Sequence, residues 1–139
     1  MGMFSATMQK NGDKIIKEAD KSLEKAARMI GGQWVGHAVD LAPKDTGLLA
    51  NSITFAIGGE APEKMQYADD NGEKSGQYTG QAPRDGKGEV SVWVGTNVHY
   101  APHQELGAPS INLGAKPFIR PSMENFKNEY EQIFKKCMK

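Results

Sequence analysis

One apolar stripe limits the fold more than any other feature of the chain. From Asp13 onward, Ile15, Ala19, Leu23, Ala26, Ile30, Trp34, Ala38 and Leu41 recur at steps of three or four, the spacing that lines side chains along one face of a helix. Asp20, Lys21, Glu24, Lys25 and Arg28 fall off the stripe, so one face is buried and the other solvated. Asn11-Gly12 and Asp13 supply turn and capping chemistry at the start, and Pro43 disfavours helical geometry at Ala42. The spacing predicts a long helix that stops before Pro43. Gly31-Gly32 falls in its middle; each interior glycine costs about 1 kcal/mol relative to alanine, which predicts a kink or a close packing contact there.

A helix with one apolar face needs a second layer, and two strands supply it. Ser52 to Ile57, "SITFAI", alternates polar and apolar residues, and Glu89 to Thr96, "EVSVWVGT", puts Val90, Val92 and Val94 on one face with Ser91 and Trp93 on the other. "MFSATM" near the start carries a weaker alternation in Phe4, Ala6 and Met8. Between the two strands, residues 58–88 hold glycines, prolines and charges with little periodic hydrophobicity, which reads as an inserted flexible arm or an extended hairpin. After it, Met123, Phe126, Tyr130, Ile133, Phe134 and Cys137 form a second helical stripe, with Pro121 in its first turn and Lys135, Lys136 and Lys139 near its end. The expected class is α+β: a long N-terminal helix and a C-terminal helix packed on a small antiparallel β-sheet, with a long loop or hairpin arm. A length of 139 residues suits one domain over 1–139, able to bury roughly two thirds of its unfolded surface without disulfides or metal.

Charge and cysteine usage narrow the function. Seventeen basic and seventeen acidic side chains cancel, so no global field holds a polyanion or a membrane surface. The single cysteine, Cys137, rules out an internal disulfide and fits a reducing compartment. Neither a signal peptide nor an apolar run of membrane length is expected.

Four strings invite a chemical reading, and each has a plainer one. Asp45-Thr46-Gly47 spells an acid-protease triplet, but such a site needs a second carboxylate sharing its proton, and here the triplet follows a helix and a proline. Asp45 or Thr46 capping a short turn through "GLLANS" is the better reading. His99 and His103 stand four apart with Glu105 following, a spacing one helical turn could bring to a metal, yet Pro102 lies between them and the segment is short. "GQAPRDGKG" departs from a phosphate-binding loop in its glycine spacing and precedes a strand. "DDNGEK", from Asp69, lacks the bidentate glutamate of a calcium loop. Trp34, Trp93, Phe118 and Phe126 read as core or interface anchors, because no clustered Lys or Arg interleaves them.

Three separated blocks carry a stronger signal together. "APKDTGLLANSI", "VWVGTNVHYAPHQELG" and "AKPFIRPSMENF" resemble, in order and spacing, the phage tail-component family related to gene product ten of a lambdoid phage. Ala42, Pro43, Asp45, Thr46, Gly47, Leu48, Ser52 and Ile53 match in the first block. Val92, Val94, Gly95, Tyr100, Ala101, Glu105 and Gly107 match in the second, and Pro117, Phe118, Pro121 and Ser122 in the third. Leu106 stands where the family often has an aromatic residue, and Leu49 where it often has a basic one.

The resemblance implies a non-enzymatic structural subunit of the neck of a long-tailed phage, needing no cofactor or metal. It implies a homo-oligomeric ring between head-closure and tail proteins, with DNA passing unread through the lumen, no membrane contact, assembly in the host cytoplasm and a final place in the virion. A tail-terminator or tail-completion subunit is the alternative; a small metal-dependent hydrolase using His99, His103 and Glu105 is the competing class. On the structural reading, Asp45 and Thr46 cap the turn that Leu48 and Leu49 bury, and Gly95 ends the second strand in a tight turn. Tyr100 and Glu105 order the segment that follows, the glutamate through backbone N–H groups or a neighbouring subunit. Pro117 and Pro121 set Phe118 into the core. Tyr67, Asp69, Asp70, Tyr78 and Arg84 are the arm residues expected at a subunit contact.

Overall fold

The long stripe folds as helix α1, Lys17–Leu41, in a computed structural model that describes residues 2–9, 17–45, 47–86, 89–107, 110 and 114–138. The residues expected to cap its start lie outside those described. Leu23, Ala26, Ile30, Trp34 and Ala38 are all buried on one side. Leu41, expected to close the stripe, is 41% exposed, and Ala42 at 5% is buried instead. The chain makes one more helical bond, from Ala42 N–H to the Ala38 carbonyl at 2.9 Å, before Pro43 turns it away. α1 runs unbroken through Gly31 and Gly32. Close packing is the reason for the first glycine: a Cβ on Gly31 would overlap the ring of Phe55, whereas one on Gly32 would meet nothing.

The layer beneath α1 is a three-stranded sheet in the order β1-β5-β2, made of β1 (Gly2–Gln9), β2 (Thr54–Ile57) and β5 (Glu89–Thr96). Both pairings are antiparallel: Met3 faces Gly95 and Gln9 faces Glu89 across one ladder, Thr54 faces Gly95 and Ile57 faces Val92 across the other. The weak leading alternation is thus a full edge strand. Val92 and Val94, with Ile57, meet Ala27, Ile30 and Trp34 of α1 in the central cluster. Burial of these side chains, each contributing roughly 1.5–3 kcal/mol for a Val, Leu or Ile, is the main force holding helix to sheet. Trp93 points to the opposite face, half-buried, and its indole N–H has no acceptor among the described residues.

The segment after β2 forms a hairpin of β3 (Gln66–Ala68) and β4 (Ser75–Gln77). Asp69 builds its turn: Oδ1 accepts from Glu73 N–H at 2.8 Å and Oδ2 from Lys74 N–H at 3.2 Å, while Gly72 takes the left-handed conformation at φ 72°. Side-chain bonds to nearby backbone amides are how an aspartate specifies a turn, so the acidic string "DDNGEK" is a turn sealed by its own carboxylate.

The C-terminal stripe departs from expectation. In place of one helix there are two, α4 (Ile119–Glu124) and α5 (Lys127–Cys137), separated at Asn125–Phe126. Phe126 leaves helical geometry at φ −118° and ψ 15°, and its ring stacks on His37 at 3.5 Å with 4° between the planes. His37 Nε2 also lies 3.2 Å from Glu129 Oε2. The break lets α5 lie antiparallel along α1, from His37 beside Phe126 to Met29 Sδ at 3.7 Å from Cys137 Sγ. A further short helix, α3 (Ala101–Leu106), follows β5, with Pro102 in its first turn, where a missing N–H costs nothing.

The two glycines of α1 give a paired test. Gly31→Ala should destabilise the protein by about 1–3 kcal/mol through overpacking against Phe55, while Gly32→Ala should stabilise it by roughly 0.5–1 kcal/mol. Urea unfolding of both variants checks this, and equal effects would contradict the packing account.

Candidate functional site at the corner where the motif blocks meet

The three motif blocks are far apart in sequence and converge at one end of the sheet. The first supplies α2 (Leu48–Ser52), the second the end of β5 and α3, the third the start of α4. Ser52 is fully buried; its hydroxyl donates to the Leu49 carbonyl at 2.6 Å and lies 2.6 Å from Thr96 Oγ1. Thr96 Oγ1 in turn accepts from Val98 N–H at 3.1 Å. Two hydroxyls therefore join α2 to the end of β5 without leaving a polar atom stranded, which is what burial of such groups requires.

Glu105 makes the second junction. It is 7% exposed, and its Oε1 accepts from Phe118 N–H at 3.1 Å and Ile119 N–H at 2.8 Å, with Oε2 3.4 Å from Arg120 N–H. These are the amides at the start of α4, which have no partners within their own helix and favour negative charge. The carboxylate thereby fixes Phe118, 1% exposed, in the core. From there Trp34 Nε1 donates to Ser122 Oγ at 2.8 Å, Ser122 Oγ donates to the Ile119 carbonyl at 2.5 Å, and the Tyr130 hydroxyl donates to the Ser122 carbonyl at 2.6 Å. α1, α4 and α5 are tied through that one serine.

The cap of α2 differs from expectation. Its first flanking residue is Gly47, left-handed at φ 86°, and exposed Asp45 makes no cap hydrogen bond among the described residues; Thr46 lies outside them. A cap must stand next to the first helical residue, and the bends after Pro43 place Gly47 there. The carboxylate beside that turn is Asp70 of the hairpin, packed so closely that a Cβ on Gly47 would overlap it. Asp45 acts on Tyr100, whose phenol is pushed above the usual tyrosine range by burial and by that nearby charge. Gly95 also differs: it lies inside β5, opposite Met3 and Thr54, not in a turn after it. Gly107 ends α3 at φ 81°, its N–H bonded to the His103 carbonyl at 2.8 Å. Leu48 packs at the margin of the core and Leu49 within it. Pro43 and Pro117 are half-buried flanking residues, and Pro121 is in the first turn of α4.

The arm residues are largely engaged within the chain. Tyr78 is 3% exposed and donates to the Ser52 carbonyl at 2.5 Å, so the hairpin's return strand is fastened to the corner. Tyr67 donates to Asn97 Oδ1 at 2.5 Å, and Asn97 Nδ2 donates to the Gln77 carbonyl at 2.8 Å. Asn51 Nδ2 reaches the Ala68 carbonyl at 2.9 Å and Asp70 Oδ1 at 3.0 Å. Asp69 is held in its own turn; Asp70 and Arg84 remain exposed. His99 and His103 are exposed, Glu105 is committed to backbone amides, and among the described residues no group of three or more His, Cys, Asp or Glu is placed to hold a metal ion. Sequence reasoning did not anticipate Asn51, Asn97, Thr96 or Tyr130 at the corner; a polar residue flanking each apolar block was the only signal available.

A corner in which hydroxyls, a carboxylate and an indole all close onto backbone or one another belongs to a packing module of the α+β class. The family described as "Bacteriophage HK97-gp10, putative tail-component" matches residues 4–107, and the chain belongs to that family of phage tail components. The match takes in the first two blocks; the third lies beyond it. No curated protein and no solved structure matches the chain. Among the described residues no helix is long and apolar enough to cross a membrane.

Two outcomes follow from the corner. Glu105→Ala, which strands the buried amides of Phe118 and Ile119 and the part-buried amide of Arg120, should cost about 2–4 kcal/mol, since bonds to charged groups contribute roughly 1.5–3 kcal/mol and buried unpaired donors add to the loss; a change under about 0.5 kcal/mol in urea unfolding would contradict the junction. Burial raises the Tyr78 and Tyr130 phenols above the ordinary tyrosine value. Their contribution is therefore complete below about pH 10 and is lost as pH rises toward the folded-state values. Above about pH 10 wild-type stability should fall more steeply than that of Tyr130→Phe, and parallel pH profiles there would refute the assignment.

Proposed function

We propose that this chain is a structural subunit of the neck of a long-tailed bacteriophage, assembled as an oligomeric ring that joins the head-closure complex to the tail and lets DNA pass. Membership of the tail-component family over residues 4–107 carries the reading. The physical character of the corner supports it: its polar groups are satisfied within the chain, as suits a rigid part of an assembly. Ring contacts join different surfaces of successive copies, and exposed Asp70 and Arg84 of the hairpin segment are the residues assigned to them. The lumen needs no sequence-reading surface, in keeping with a chain whose formal charges cancel.

The subunit makes no covalent chemistry; it acts by position, meeting head-closure proteins on one side of the ring and tail proteins on the other. A phage carrying a stop codon in this gene should yield DNA-filled heads and separate tails in the host cytoplasm, with joining restored by the purified protein. Normal infectious particles without the protein would overturn the proposal, and tails of uncontrolled length would move the chain to the tail terminus.

A further inference from the structure

Among the described residues the two sheets present four strand edges, and the fold treats them unequally. At β2, Glu63 N–H donates to the Phe55 carbonyl at 2.8 Å and Lys64 N–H to Thr54 Oγ1 at 2.9 Å, so a crossing segment shields that side. The hairpin edges are closed by asparagines, Asn51 on the Ala68 carbonyl and Asn97 on the Gln77 carbonyl. β1 is different. It is the outer strand of the sheet, eight residues long, and no described residue pairs with its free side. Its sequence, GMFSATMQ, contains no proline and no charge, the two devices that most often keep an exposed edge from pairing.

We propose that β1 is a pairing edge for a second copy of this chain, which adds its own β1 antiparallel about a two-fold axis normal to the sheet. The result is a continuous six-stranded sheet in the order β2-β5-β1-β1-β5-β2, with both α1 helices on the same side. The absence of charge selects this occupant. A two-fold antiparallel pair sets residues near the strand centre opposite or beside their own symmetry mates, and like charges placed there repel. Gly2 to Gln9 carries none, so self-pairing meets no such penalty. The strand spans about 27 Å at roughly 3.4 Å per residue, long enough for a full ladder of main-chain bonds. An isologous pair cannot be repeated within a closed ring whose two faces differ, so the pairing belongs to the free chain before ring assembly, and it stands or falls independently of the neck assignment.

Light scattering coupled to size exclusion, with hydrogen exchange on the same full-length samples, tests it. The wild-type chain should show twice the monomer mass at high concentration, with the β1 amides that face away from β5 protected there and exchanging on dilution. Ser5→Lys and Ser5→Glu, each alone, should be monomeric with wild-type circular dichroism, and an equimolar mixture of the two should recover the dimer. A wild-type chain that stays monomeric, a dimer whose β1 amides on the side away from β5 exchange freely, or a mixture no more associated than its folded components would overturn the proposal. If either variant misfolds, the wild-type exchange pattern alone decides.

Discussion

A buried carboxylate holds this structure together at its least regular point. Removing a charged group from water costs several kcal/mol unless hydrogen bonds replace the lost hydration, and Glu105 recovers that cost from the amides of Phe118, Ile119 and Arg120. The geometry obliges α3 and the start of α4 to sit together, although the chain between them is long. Once α4 is placed, Ser122 faces the Trp34 indole and its carbonyl faces the Tyr130 hydroxyl. One side chain thus determines how the C-terminal helices meet α1 and, through the core cluster, the sheet.

The buried hydroxyls of the same corner are committed to partners within the chain. Ser52 is engaged by Leu49 and Thr96, Thr96 by Val98, and Asp69 by its own turn. The hairpin, which looked free in sequence, is fastened through Tyr78, Asn51 and Asn97. Its docking converts a polar, glycine-rich segment into a fixed projection beside α2.

Much of the fold was legible because it rests on periodicity. The α1 stripe, the alternation of β5 and the stop at Pro43 all depend on near neighbours in sequence. The details that were not legible depend on distant ones. Phe126 continues the apolar stripe perfectly well on paper, yet it breaks the helix because His37 offers its ring a stacking partner. Asp45 looked like the cap of α2, but the hairpin brings Asp70 against Gly47, and that placement has no local signal. Gly31 and Gly32 are identical by propensity and differ only in what lies above them. For the corner, the motif blocks indicated which segments matter, while the polar links between them, Thr96, Asn51 and Asn97, emerged only in three dimensions.

We propose the chain as a rigid structural subunit of the phage neck. Electron cryomicroscopy of intact virions, at a resolution that traces the chain between head and tail, tests it most directly. The account predicts density for this subunit in a closed ring at the neck, with Glu105 still bound to the amides at the start of α4 and the hairpin still fastened to Ser52. Particles whose neck contains no such subunit, or a ring in which Glu105 has left those amides to face the lumen, would contradict it.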